Sequence, residues 1–223
     1  MRRLFAALAA ILCISTLCGT AVSADRTVLS DVTFFGDSTT AHLAVRGGIP
    51  KERVWSGEGS TMLFTSVLER SVKIKNELMT LPEAVKRYRP KVLVITVGAS
   101  GGAGFLREDT FKSIYSKLID GVKEASEDTV VIVQSILPLS DKSKKYYKKL
   151  TKQAVLTANE WIKDVCKEKH VPYLNSHDLL TDDSGYLKRE YQNDEYLHLT
   201  SAAYKIILDN LSDFLEKSEK VNV

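Results

Sequence analysis

Cysteine is scarce in this chain, with Cys13, Cys18 and Cys166 the only three in 223 residues. No Cys/His group stands at ligand spacing, which argues against a structural zinc site. Histidine is nearly as sparse, at four. Neither charge sign dominates: 31 Lys and Arg face 28 Asp and Glu, a formal +3. Such a balance predicts neither nucleic-acid binding nor an acidic substrate spread over the whole surface. Repeats and low-complexity linkers are absent, and no apolar run is long enough for a stable membrane span. The longest, residues 4–17, follows Arg2 and Arg3 and precedes Val22-Ser23-Ala24, a small-residue cleavage pattern before Asp25. Residues 1–24 are therefore expected to be a secretory signal peptide. General secretion fits better than twin-arginine export, whose motif is matched only in part. Lipidation is not expected, because neither Cys13 nor Cys18 follows the required leucine and small residue.

About 199 residues remain, 25–223, enough for one domain with a sizeable core. Removing residues 1–24 leaves 29 basic against 28 acidic residues, a formal charge of +1. Only Cys166 survives, so no intramolecular disulfide is expected. The expected location is secreted, either extracellular or periplasmic.

Five short apolar runs, at 28–35, 53–55, 92–97, 129–134 and 171–174, alternate with longer stretches of helical period. Val92-Leu93-Val94-Ile95 and Val130-Val131-Ile132-Val133 are continuously apolar and largely β-branched, as strands covered on both faces should be. Phe111, Ile114, Tyr115, Leu118 and Val122 mark one helical stripe. Leu150, Ala154, Val155, Ala158, Trp161, Ile162 and Val165 mark a second. Tyr204, Ile207, Leu208, Leu211 and Leu215 mark the last, with Thr200 as its expected N-cap. This alternation predicts a three-layer α/β/α sandwich on a five-stranded parallel sheet. Its binding crevice should lie beyond the carboxyl ends of the strands.

Into that crevice the sequence aims two reactive groups. Phe35-Gly36-Asp37-Ser38 closes the first apolar run, so Ser38 falls where a strand meets a helix. His198, in Asp194-Glu195-Tyr196-Leu197-His198, lies 160 positions later, just before the last helix. A histidine that reaches a serine hydroxyl can take its proton, which points to a serine hydrolase. The blander readings are a helix N-cap for Ser38 and a surface or capping histidine for His198.

These blocks resemble the SGNH (GDSL-type) hydrolase family over nearly the whole of residues 25–223. The resemblance implies a flavodoxin-like sheet and a serine nucleophile at Ser38, whose N–H also serves the oxyanion hole. It implies a second oxyanion N–H from Gly57 in Trp55-Ser56-Gly57-Glu58-Gly59, with Gly59 as the fallback. The family's third block is Gly-x-Asn; here it reads Gly98-Ala99-Ser100, so Ser100 stands where the asparagine amide is expected. Losing one oxyanion donor costs about 10²–10³ in rate in a protease. The fourth block is Asp-x-x-His. Three residues before His198 stands Glu195, with Asp194 beside it. Spacing favours Glu195 as the carboxylate that orients the imidazole, and a turn one residue longer would give the part to Asp194. Asp37 resembles the family's structural acceptor for the turn rather than a catalytic acid.

Other candidates have plainer readings. His42, four positions after Ser38 on a helix, is expected on a solvated face, with the pocket lining as the alternative; His170 is expected at a helix C-terminus, and Cys166 as a packed small side chain. Met62, Leu63 and Phe64 suit either an acyl channel or the core. Lys142, Lys144, Lys145, Lys148, Lys149 and Lys152, with Tyr146 and Tyr147 among them, read as an exposed lysine-rich helix start. The sharper reading is a landing strip for an anionic cell-surface polymer.

The expected function is a secreted esterase, with no metal or organic cofactor, that removes O-acyl groups, acetyl above all, from carbohydrate. Its partners would be a small ester or an acylated polysaccharide. Lysophospholipase or thioesterase activity, transfer to a sugar hydroxyl, and a catalytically weak wall-binding protein of the same fold are the alternatives.

Overall fold

A computed structural model describes residues 26–56 and 62–221. The expected signal peptide, Gly57 and Gly59 lie outside the described residues. Three strands carry the centre of the sheet: β1 (Val32–Gly36), β5 (Val92–Thr96) and β6 (Val130–Gln134). Short strands flank them, β2 (Val54–Ser56) at one edge and β7 (Tyr173–Leu174) at the other. All pairs are parallel, in the order β2-β1-β5-β6-β7. That is the flavodoxin-like order, with the switch point between β1 and β5.

Strand alternation sends neighbouring side chains to opposite faces, and here both faces are covered. Phe35, Leu93, Ile95, Val131 and Val133 pack with Leu81, Phe111, Tyr115, Leu118, Val155 and Ile162. The last six come from α3 (Leu81–Tyr88), α4 (Glu108–Ala125) and α5 (Lys152–Lys169). Val32, Phe34, Val94 and Ile132 pack instead with Tyr204, Ile207, Leu208 and Leu211 of α7 (Ser201–Val221). Burying one such side chain contributes about 1.5–3 kcal/mol. The three layers thus follow from two periods, 2 in the strands and 3.6 in the helices.

Some details differ from expectation. Residues 28–31 belong to a 3-10 helix, Arg26–Asp31, and β1 starts only at Val32. An antiparallel hairpin, β3 (Val72–Ile74) and β4 (Glu77–Met79), was not legible, since it is short and rich in charge. Its two turn residues, Lys75 and Asn76, both have positive φ (48° and 67°), as a tight two-residue hairpin turn requires. The lysine run does not open a helix. Ser143–Lys145 is a single 3-10 turn, and α5 begins only at Lys152, capped by the Thr151 hydroxyl accepting from Ala154 N at 3.1 Å. Five of the six lysines therefore precede the helix, which removes the expected conflict with its dipole. His170 does end α5, in the left-handed conformation (φ 53°). No described helix is long and apolar enough to cross a membrane.

Candidate active site

Gly36 makes the bend possible. A Cβ there would meet Thr40 Oγ1 at 2.0 Å and the Thr96 carbonyl at 2.3 Å, so only glycine lets β1 turn at once into α1 (Ser38–Ala41). Asp37 caps that turn: its Oδ1 accepts from Thr39 N at 3.1 Å and Thr39 Oγ1 at 2.9 Å. Burial pushes the Asp37 carboxyl up, against the opposing pull of the Thr39 and Ser100 hydrogen bonds and of His198. Its bonds are those of a turn-holding acceptor. Ser38 then occupies the first helical position, where the N–H has no partner within the helix.

The Ser38 hydroxyl lies 3.1 Å from His198 Nε2. Two segments 160 residues apart therefore meet at the carboxyl end of β1. The other imidazole nitrogen, Nδ1, is hydrogen-bonded to Asp194 Oδ2. Asp194 is itself fixed: its Oδ1 accepts from Tyr196 N at 2.8 Å and His198 N at 3.2 Å, closing a local turn around the imidazole. Burial raises the Asp194 carboxyl, but the Tyr196 N–H, the His198 ring and the His198 N–H outweigh it and hold it below the usual carboxylate range. Leu197 and Leu199, both buried, anchor the loop on either side of His198. The Thr200 carbonyl accepts from Tyr204 N as an N-cap carbonyl does, while its hydroxyl donates to the Glu190 carbonyl at 3.2 Å.

Glu195, the carboxylate that spacing favoured, is not on the imidazole. Its Oε1 accepts from Lys142 Nζ at 2.6 Å and its Oε2 from the Tyr146 hydroxyl at 2.8 Å. Those two bonds hold the Glu195 carboxyl below its usual range. The correction has a backbone cause. Asp194 is short enough to bond its own chain two and four residues on, so the turn presents its second oxygen to His198 and sends Glu195 outward. A brace around this loop was barely legible beforehand: Ser140 Oγ donates to the Glu195 carbonyl at 2.6 Å, Ser140 N donates to the Tyr196 carbonyl at 3.0 Å, and the Tyr146 ring sits 4.2 Å from that of Tyr196. The aromatic pair in the lysine run was the only available signal.

Ser100 lies close enough to Asp37 for its backbone N–H to pull that carboxyl down, and its carbonyl accepts from Phe64 N at 2.7 Å. Met62 and Phe64 are core residues, whereas Leu63 is 51% exposed and Phe105 50%. Leu63 touches the Gly101 position of the loop after β5, and Phe105 ends that loop. A small apolar pocket opens under the turn, lined by Ala99, Ile136, Leu137, Leu139 and Leu197 with Asp37 and Thr39 at one end. Its free interior is about 10 Å³, the room of roughly one water molecule.

His42 is not on a solvated face. Its half-buried ring lies 4.6 Å from the ring of His198 at 60°, and its Nδ1 is buried without a hydrogen-bond partner. Burial, then the charges of His198 and Arg46, push His42 below the usual histidine range, against Asp194. Position four after Ser38 on one helical face was the signal for this placement. Cys166 is 2% exposed and its thiol is pushed up to about 12 by burial, which removes it as a nucleophile. Among the described residues no group of three or more His, Cys, Asp or Glu could hold a metal ion.

A profile of the GDSL-like Lipase/Acylhydrolase family matches residues 34–206, from the middle of β1 into α7. The chain belongs to that family. Solved structures agree on the fold of this acylhydrolase. A GDSL-like lipase from Bacteroides thetaiotaomicron superposes with a TM-score of 0.65 at 20% identity, covering 84% of this chain and 88% of the other. A carbohydrate esterase of family 3 from Talaromyces cellulolyticus gives 0.55 at 14% identity, over 85% and 97%. The acetyl xylan esterase AlAXEase gives 0.55 at 16%, over 82% and 98%. No curated protein matches by sequence.

Proposed function

We propose that this GDSL-type hydrolase is an exported esterase that removes O-acetyl groups from carbohydrate through an acyl-enzyme on Ser38. The observation that carries the reading is the hydrogen-bonded chain Ser38–His198–Asp194 at the crevice. His198 Nε2 takes the proton of the Ser38 hydroxyl as its oxygen attacks the ester carbonyl. Asp194 holds the Nδ1–H tautomer and offsets the positive charge that then forms on the ring. The oxyanion meets the N–H of Ser38, the N–H of Gly57 and the Ser100 hydroxyl. His198 returns its proton to the departing sugar oxygen, and a water activated by the same nitrogen releases acetate and restores Ser38.

The likeness to a carbohydrate esterase and to an acetyl xylan esterase supports the same substrate class. Export rests on the sequence of residues 1–24, and secreted protein should begin at Asp25 on N-terminal sequencing.

The test is hydrolysis of p-nitrophenyl acetate by parent and Ser38→Ala, with fluorophosphonate labelling mapped to a residue. We expect labelling at Ser38 and a fall of about 10³-fold or more in kcat; equal rates in the two proteins would refute the scheme. A second reading, hydrolysis of lipid acyl esters, has one observation in its favour, the exposed Leu63 and Phe105 beside the crevice. Acetyl and octanoyl esters separate the two: kcat/KM higher for octanoyl would replace the first reading by the second.

A further inference from the structure

The lysine segment lies across the rim of the crevice and joins its two walls. On one side Lys142 and Tyr146 hold Glu195, and Tyr146 stacks on Tyr196, within the loop that carries Asp194 and His198. On the other side the segment abuts the loop that runs from Ser100 to Phe105. A Cβ on Gly104 would meet the Lys149 carbonyl at 2.0 Å, and Lys149 Nζ sits 5.7 Å above the Phe105 ring. Two of the six lysines are already committed, Lys142 to Glu195 and Lys152 to the Ser184 carbonyl at 2.7 Å. The four between them, Lys144, Lys145, Lys148 and Lys149, are exposed, and among the described residues none has a carboxylate within ion-pair distance. Arg189 adds positive potential near Lys142, while Asp141 and the neutralised Glu195 are the acids close by.

Exposed rings alternate with these charges. Tyr146 is 37% exposed under Lys145, whose Nζ lies 5.2 Å from the ring centroid, and Phe105 is 50% exposed under Lys149. Flat apolar rings suit the faces of sugars, and ammonium groups on flexible stems suit charges repeated along a chain. Single lysines would be ordinary surface; four with no ion pair among the described residues, interleaved with exposed rings and fixed to both walls of a catalytic crevice, form a track.

We propose that residues 144–149, with Phe105, form a docking track for a carboxylate-bearing, O-acetylated polysaccharide, which they feed to Ser38. This deepens the esterase reading and rests on it for the delivery of esters, but not for binding. The track lowers KM for acidic polymers and leaves the chemistry at Ser38 unchanged. Long-range attraction of this kind weakens as salt rises.

The experiment replaces all four lysines, K144Q, K145Q, K148Q and K149Q, and assays three substrates: p-nitrophenyl acetate, acetylated xylan as a neutral polymer, and O-acetylated polygalacturonate. We expect kcat/KM on the acidic polymer to fall by about tenfold, through KM, with the other two unchanged within about twofold. In the parent protein, raising salt from about 0.02 M to about 0.3 M should lower turnover of the acidic polymer alone. Binding is read separately as retardation of Ser38→Ala in gels containing polygalacturonate, with and without the four replacements. Retardation lost on replacement supports the track even if no ester is hydrolysed, in which case the esterase reading alone fails. Equal losses on neutral and acidic polymers, salt-insensitive turnover, or retardation that survives replacement would each overturn the proposal. So would retention by phosphatidylserine vesicles with none by the polysaccharide, which would make the track a membrane contact.

Discussion

At the scale of single residues, the pair Asp194 and Glu195 shows where sequence reading stopped. Both carboxylates were visible near His198, and so was the serine they serve. Which of them faces the ring depends on one turn whose register is set by hydrogen bonds from Tyr196 N and His198 N to the Asp194 carboxylate. Spacing counts residues and cannot see that bond. The two positions now predict opposite outcomes. Asp194→Asn should lower kcat by about 10²–10⁴ with little change in KM, because the wrong tautomer is then held on Nδ1. Glu195→Gln keeps the bond with Tyr146, loses only an exposed ion pair, and should leave kcat within about threefold. Steady-state kinetics on p-nitrophenyl acetate decide it; a larger loss at Glu195 than at Asp194 would reverse the assignment. Ser100 gives a third comparison. Ser100→Asn restores the amide of the family pattern, and because the proposed scheme already gives the Ser100 hydroxyl to the oxyanion, kcat should change by less than about tenfold; a larger rise would show that the hydroxyl does not serve there.

Among the elements, legibility followed burial. The central strands β1, β5 and β6 are covered on both faces, so their apolar runs stood out, and the stripes of α4, α5 and α7 did the same. The β3–β4 hairpin and α3 were missed for the opposite reason. The hairpin exposes Lys75, Asn76, Glu77 and Leu78 and is held by its turn, and α3 runs only from Leu81 to Tyr88. What makes α3 a helix is its capping box: the Thr80 hydroxyl accepts from Glu83 N at 3.2 Å and the Glu83 carboxylate accepts from Thr80 N at 2.8 Å. The helix in turn buries Leu81, Ala84 and Val85 against the sheet and α4. Thr80→Ala should therefore cost about 1 kcal/mol of stability, a fall in Tm of about 2–4 °C for a chain of this size. Catalysis should be untouched, since α3 contributes nothing to the crevice. Thermal unfolding followed by circular dichroism, paired with the ester assay, checks both halves; lost activity at full stability would show that the helix reaches the site.

For the molecule as a whole, two buried histidines and Asp194 contribute a pH dependence that no composition could reveal. His177 is 3% exposed, with Nδ1 on Asp178 and Nε2 buried without a partner, and burial pushes it below the usual histidine range against the pull of Asp178. His42 is pushed the same way beside His198. Both rings are held neutral in the fold but take up protons in the unfolded chain as pH falls below about 6.5. The unfolded state then binds more protons than the folded one, so stability declines with falling pH from that point. Asp194 works in a separate range. Its depressed carboxyl contributes stability that is present above the ordinary carboxylate value, about 4, and is lost as pH falls through its lower folded value. The expected Tm falls as pH drops below about 6.5 and falls again below about 4, and it also declines above about 8.5, where the unfolded chain loses the Cys166 proton that the fold retains. His177→Asn keeps a donor toward Asp178 but cannot be protonated, so the first decline should become shallower while the second stays. A variant whose Tm runs parallel to the parent's across pH 7 to 5 would show that His177 takes up its proton alike in the folded and unfolded chain. The acid sensitivity would then have to come from His42 alone, at the mouth of the crevice.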